Sequence, residues 1–157
     1  MTKTSPIVLV SAMTSFSMST KAILEAQGWM VQELRITQIQ SLTLTVERIA
    51  AFEPALVLSD LNYPQTRLLV DCLTTDYLTT NYLTKGVAIK NKKLKDNLSA
   101  PFMTMLPLQR TGEKEAIQQE TELLNLGADM VLFKPISPYR LVARVEALMR
   151  RSSNKLS

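Results

Sequence analysis

Short apolar runs alternate with helix-like patterns along the chain, and this alternation limits the folds that the sequence can adopt. The first run, IVLV at 7–10, is continuous and rich in β-branched residues, as in a strand buried on both faces. Further strand-like runs follow at 29–35, 55–59, 102–106 and 130–133. Strands separated by helices predict an α/β domain with a parallel sheet.

Helical periodicity occupies the segments between these runs. Apolar residues at helical spacing predict helices around 23–26, 42–52, 68–73, 113–126 and 138–149. Gly28 and Gly127 follow the first and fourth helices and are placed to end them. Ser137 and Pro138 favour a helix start, because serine caps the free N–H groups and proline lacks one.

Length and composition restrict the class of protein. At 157 residues the chain is long enough for one domain with a buried core. No apolar run approaches the roughly 18 residues of a membrane span, and no signal peptide is evident, so we expect a cytoplasmic protein without membrane contact. One cysteine, Cys72, excludes an internal disulfide, and the absence of histidine removes the commonest general base and metal ligand.

One stretch departs from the regular alternation. Forty residues, 61–100, lie between Asp60 and Pro101, which is more than one helix and two loops require. The stretch contains a tandem pentapeptide, TTDYL at 74–78 and TTNYL at 79–83. We interpret 74–100 as an insertion that lengthens a helix or forms a protruding hairpin or loop.

The insertion ends in a lysine cluster, which matters for the choice of partner. Its members are Lys85, Lys90, Lys92, Lys93 and Lys95. The net charge of +4 invites a nucleic-acid interpretation, but such a cluster is more often a solvated loop. We do not expect direct nucleic-acid binding, and we treat the lysines as a candidate contact for an acidic protein partner.

Two motif-bearing segments resemble a known family. The first is PALVLSDLNYP at 54–64; the second runs from LGAD at 126–129 through FKP at 133–135 to SPYRLVARV at 137–145. Together they resemble response-regulator receiver (CheY-like) domains, and the last helix is most similar to the OmpR/PhoB class. The resemblance covers 6–151 apart from the insertion, and it leaves 152–157 as a polar tail or the start of a linker.

The resemblance implies a fold and a set of site residues. The implied fold is flavodoxin-like, a doubly wound (βα)5 domain whose five parallel strands take the order 2-1-3-4-5. Asp60 corresponds to the phosphoacceptor, and Asn62 to the residue whose backbone carbonyl helps to hold Mg²⁺. Lys134 corresponds to the lysine that pairs with the acceptor and its phosphoryl group, and the Lys134–Pro135 bond is expected to be cis.

Four positions depart from the family pattern. The acidic pair that recruits Mg²⁺ after the first strand is replaced by Ser11 and Ala12. Leu106 stands where a threonine or serine binds the phosphoryl group, and Thr104 is two residues deeper in the strand. Val131 stands at the position of the aromatic switch residue. With one carboxylate left, we expect no metal, no other cofactor and no catalysis.

These departures favour an atypical receiver that signals through protein–protein interaction and in which Asp60 is paired with Lys134 as a remnant. One alternative is a phosphoaccepting receiver of a two-component phosphorelay that uses Asp60 and Mg²⁺. Another is the regulatory domain of a longer winged-helix transcription factor. The resemblance also implies a homodimer through helix 4, strand 5 and helix 5, in which Arg140 and Arg144 pair with Asp129 or Glu122.

Overall fold

The computed structural model describes residues 5–12, 15–36, 42–74, 100–107 and 112–155. The predicted insertion lies almost wholly outside these residues, and so do the tandem repeat and the five lysines from Lys85 to Lys95. None of the described helices is long and apolar enough to cross a membrane.

Five strands alternate with five helices in the described part of the chain, as the apolar runs predict. The strands are β1 Ile7–Ser11, β2 Val31–Arg35, β3 Leu56–Asp60, β4 Phe102–Pro107 and β5 Met130–Lys134. The helices are α1 Ser15–Ala26, α2 Leu42–Ala51, α3 Tyr63–Thr74, α4 Glu113–Leu126 and α5 Pro138–Lys155. All strand pairs are parallel, and the observed order β2-β1-β3-β4-β5 confirms the predicted flavodoxin-like topology.

Alternating side chains divide the core into two layers, one on each face of the sheet. One layer packs β-strand residues such as Leu9 and Leu58 against α1 and α5, through Leu24 and Val145. The other packs Val57 and its neighbours against α2, α3 and α4. Because β1 and β3 are buried on both faces, they carry the continuous apolar runs seen in the sequence.

The predicted helix ends are confirmed where glycine or serine specifies them. Gly28 and Gly127 have positive φ angles of 96° and 125°, a backbone conformation that residues with a side chain rarely adopt. The N–H groups of Gly127 and Ala128 then close the end of α4 on the carbonyls of Leu124 and Leu123. At α5, the Ser137 hydroxyl accepts a hydrogen bond from the Arg140 N–H at 3.2 Å.

Trp29 marks the end of the domain where the strands begin. It follows Gly28, packs half-buried against the α1/α5-side core, and immediately precedes Met30, whose carbonyl accepts a hydrogen bond from the N–H of Ile7. The opposite edge of the sheet, where β1 ends at Ser11, is about 13 Å away for four residues of strand.

Candidate functional site

Polar residues end the strands β1, β3 and β5 at the carboxyl edge of the sheet. Ser11 ends β1, Asp60 ends β3 and Lys134 ends β5. Ser11 and Asp60 are register partners on adjacent strands. Asp60 follows Leu58 by two residues and Lys134 follows Leu132 by two, so both side chains point to the α1/α5 side.

Asp60 and Lys134 form an ion pair, as the sequence predicts. The Lys134 Nζ lies 2.5 Å from the Asp60 Oδ1. The Asp60 side chain is 1% exposed and that of Lys134 is 20% exposed, so the pair is largely shielded from solvent. A carboxylate buried to this degree needs such a partner, because removing the partner lowers the free energy of unfolding by about 3–5 kcal/mol.

Ser17 supplies a second partner for Asp60, which the sequence reasoning missed. Its hydroxyl donates a 2.5 Å hydrogen bond to the Asp60 Oδ2, and Ser17 is fully buried in the first turn of α1. A signal was present in the sequence, because Ser17, Thr20 and Leu24 are spaced to share one helix face. All three are buried, so Ser17 is a polar residue at a core position.

Phe16, the neighbour of Ser17 on α1, covers the lysine of the pair. The Lys134 Nζ lies 4.7 Å from the centre of the Phe16 ring, within the range of a cation–π interaction. The first turn of α1 therefore contacts both members of the ion pair, through the hydroxyl of Ser17 and the ring of Phe16.

The positions of the missing acidic pair hold no replacement carboxylate. Ser11 is fully buried, and its hydroxyl donates to the Glu33 Oε2 on β2 at 3.4 Å. Glu33 also accepts a hydrogen bond from the Arg35 Nε at 3.2 Å, so its carboxylate is held by a residue of its own strand, β2. Ala12, which follows Ser11, is exposed and has no side-chain oxygen.

Asn62 has a structural role that explains its presence without a metal. Its side-chain oxygen accepts a hydrogen bond from the Gln65 N–H at 2.9 Å, which caps the start of α3. Its backbone carbonyl accepts two more hydrogen bonds, from the Thr66 N–H at 3.0 Å and the Thr66 hydroxyl at 2.8 Å. The Asn62 carbonyl, which by resemblance corresponds to a Mg²⁺ ligand, therefore already accepts two hydrogen bonds from Thr66 on α3.

These residues do not fit Mg²⁺, which prefers oxygen ligands in near-octahedral geometry and usually one or two carboxylates. Both oxygens of Asp60 and the carbonyl of Asn62 already accept hydrogen bonds. The remaining hydroxyl, on Ser11, is directed at Glu33. In the described part of the chain, no three acidic or cysteine side chains group together as a metal site.

The other two altered positions belong to the opposite face of the sheet. Leu106 and Val131 are buried in the core layer that packs against α2, α3 and α4. Thr104 lies between Phe102 and Leu106 on that face, so its hydroxyl does not face Asp60. The Thr104 hydroxyl and that of its register partner Ser59 are both buried and have no hydrogen-bond partner among the described residues.

Cys72 is a core side chain. It is buried on α3 within the α2–α4 core layer. Burial, with a smaller contribution from the charge of the adjacent Asp71, raises the pKa of its thiol. A raised pKa keeps the thiol neutral near pH 7, and a neutral thiol is a poor nucleophile and a poor metal ligand.

The arginines of the proposed dimer interface are exposed, whereas its acids already accept hydrogen bonds within the domain. Arg140 and Arg144 are exposed on α5 and make no ion pair with the described residues. Asp129 accepts a 2.8 Å hydrogen bond from the Phe102 N–H, and Glu122 accepts one from the Tyr63 hydroxyl. The two acids expected to pair with the arginines therefore already have partners within the domain.

Comparison with solved structures identifies the same fold in receiver domains. A CheY-like receiver domain protein from Methanospirillum hungatei JF-1 is 19% identical, with a TM-score of 0.66 and coverage of 98% of this chain and 99% of that one. A receiver domain from Bermanella marisrubri is 17% identical, with a TM-score of 0.60 and coverage of 93% and 98%.

The receiver domain of NtrX from Brucella abortus is 15% identical, with a TM-score of 0.60 and coverage of 92% of this chain and 98% of that one. No protein-family model matches the chain, and no curated protein matches it. The chain thus has the fold of response-regulator receiver domains, with an ion-paired aspartate at the carboxyl edge of its sheet.

Proposed function

We propose that this chain is a cytoplasmic receiver-like signalling domain that acts by binding a protein partner, without Mg²⁺-dependent phosphorylation of Asp60. The observation that supports the proposal most directly is the state of Asp60. Both of its carboxylate oxygens accept hydrogen bonds within the domain, and the positions that would supply metal-binding acids are Ser11 and Ala12.

Aspartyl phosphorylation makes two demands that this arrangement does not meet. One carboxylate oxygen must reach the phosphorus atom in line with the leaving group, and cations must neutralise the phosphoryl oxygens. The pairing of Lys134 with Oδ1 leaves only Oδ2 for attack, and Ser17 donates to that oxygen. The carboxylate is also 1% exposed, so a phosphodonor has no direct access to it.

The proposed partner surface lies on α4 and α5. Arginines are exposed along α5 at Arg140, Arg144, Arg150 and Arg151. Large apolar side chains are also exposed here: Tyr139 is 90% exposed on α5 and Ile117 is 59% exposed on α4. Tyrosine and arginine are enriched among the residues that dominate binding energy at protein interfaces. The lysines at 85–95 are proposed as a further contact for an acidic partner.

The proposal is tested by incubating the chain with acetyl phosphate and Mg²⁺ and measuring its intact mass. We expect no stable gain of one phosphoryl group in the wild-type chain or in the Asp60→Asn variant, because the carboxylate is enclosed and the metal ligands are missing. A stable gain in the wild-type chain that Asp60→Asn abolishes would contradict the proposal. It would instead identify a phosphoaccepting receiver, the function that the retained Asp60–Lys134 pair favours.

A further inference from the structure

Ser17 occupies a place that neither its residue type nor the receiver resemblance assigns to it. Its hydroxyl is completely buried, lies on the core face of α1 and donates to the Asp60 Oδ2 at 2.5 Å. Hydrogen bonds between a hydroxyl and a carboxylate are among the stronger ones in proteins, because the acceptor is charged. Ser17 therefore helps to orient the carboxylate through the oxygen that Lys134 does not contact.

We propose that Ser17 is a positioning residue that closes a latent divalent-cation site, by holding the carboxylate oxygen of Asp60 that a metal ion would use. This inference rests on the proposed function, since it explains how the same site is kept inactive. Two separate obstacles then exclude the metal: the lack of an acid after β1, and the hydrogen bond from Ser17.

The sheet places residue 12 where an acid would be needed. Ser11 and Asp60 are register partners on adjacent strands, so residue 12 follows β1 at the same edge as Asp60. Ala12 is exposed, so a carboxylate at this position would be hydrated and its introduction would not disturb the core. Ala12→Asp thus supplies a second carboxylate beside the first with little cost in stability.

An acid at position 12 is not sufficient if Ser17 acts as proposed. A metal ion at the Asp60 Oδ2 competes with the short hydrogen bond from Ser17 for the electron density and the orientation of that oxygen. Hydrogen bonds to charged groups contribute enough that we expect about a tenfold loss of metal affinity while Ser17 is present. Removing the hydroxyl should restore that affinity.

The experiment compares Ala12→Asp with the double variant Ala12→Asp/Ser17→Ala by calorimetric titration with Mg²⁺ and, separately, with Mn²⁺. We expect weak binding in the single variant and about tenfold tighter binding in the double variant. The wild-type chain and Ser17→Ala alone should bind neither ion measurably. The matched control is Ala12→Asp/Ser19→Ala, which removes an exposed hydroxyl from the same helix and should bind like Ala12→Asp.

Equal affinities in Ala12→Asp and the double variant would overturn the inference, and so would the absence of binding in both. Circular dichroism verifies that each variant is folded. If the double variant is unfolded, Ala12→Asp/Ser17→Cys replaces it, because a thiol of similar size is a weaker donor, and the same order is expected. Phosphorylation of the wild-type chain would refute the proposed function. If the wild-type chain is not phosphorylated but the double variant binds metal no more tightly than Ala12→Asp, only the role of Ser17 is refuted.

Discussion

At the scale of single residues, the buried Asp60 carboxylate is held by partners within the domain. Lys134 neutralises its charge, Ser17 donates to its second oxygen, and Phe16 covers the lysine. A buried ion pair is weak support for stability by itself, but breaking it leaves an uncompensated charge. Removing one member of the pair should therefore lower the free energy of unfolding more than removing both.

Replacing Lys134 with methionine tests this arrangement. We expect Lys134→Met to lower the free energy of unfolding by about 2–3 kcal/mol, somewhat less than for a fully buried pair, because Lys134 is partly exposed. The double variant Lys134→Met/Asp60→Asn should recover much of this loss, because neither charge remains. Urea denaturation followed by circular dichroism measures both values.

Lys114 offers a matched control for this substitution, since it is an exposed lysine on α4. Lys114→Met should change the free energy of unfolding by no more than about 0.5 kcal/mol. If Lys134→Met is no more costly than Lys114→Met, or if Asp60→Asn fails to compensate it, the pair does not stabilise the fold as described.

At the scale of secondary-structure elements, the sequence predicts the existence of each strand and helix better than its ends. The helix predicted around 68–73 in fact begins at Tyr63. The prediction missed its first turn (YPQT) because that turn has no apolar periodicity and is specified by the side-chain cap from Asn62. The strand predicted from Trp29 begins at Val31, because Trp29 and Met30 lie in the connection between α1 and β2. The last helix continues through its polar residues to Lys155.

The start of α3 depends on a side-chain cap from Asn62. Asn62→Ala removes the acceptor for the Gln65 N–H, and we expect it to lower the free energy of unfolding by about 1 kcal/mol. Asn62→Asp keeps the acceptor and adds a negative charge that favours a helix N-terminus, so its effect should stay within a few tenths of a kcal/mol. Urea unfolding of the two variants makes the comparison, and equal losses would argue against a capping role.

At the scale of the whole molecule, charge is segregated between the last two helices. Helix α4 carries four glutamates and one lysine, whereas α5 carries four arginines and one lysine against one glutamate. Because Asp129 and Glu122 already accept hydrogen bonds, the other glutamates of α4 are better placed to pair with a second copy: Glu113, Glu115 and Glu120. Charge complementarity of this kind affects association rates and specificity more than affinity.

The homodimer through α4, β5 and α5 therefore remains a proposal with a clear test. We expect sedimentation velocity to show association at low salt that weakens as salt is raised, because exposed charges are screened. Arg140→Glu/Arg144→Glu should abolish the association. The control Arg48→Glu/Arg67→Glu makes the same charge change on α2 and α3 and should leave it intact. A monomer at high concentration and low salt would exclude the dimer.

The strand order and the Asp60–Lys134 pair could be predicted because each follows from a local motif and the parallel topology. The burial of Ser17 had a signal in the sequence, but its contact with Asp60 did not, because that contact depends on how the first turn of α1 packs over the end of β3, 43 residues away. The engagement of Asp129 and Glu122 was hidden for the same reason, since their hydrogen bonds join residues that are 27 and 59 positions apart in sequence.

The position of Trp29 makes the chain its own optical probe of unfolding. It is the only tryptophan in the sequence, and it packs against the core at the end of the sheet where the strands begin. An ion or a covalent group at Asp60 acts at the other end of β1 and β3, so it should leave the indole emission almost unchanged. Denaturation exposes the same ring to water and should shift its emission to longer wavelength. Tryptophan emission, measured during a titration, thus distinguishes a change at Asp60 from unfolding of the chain.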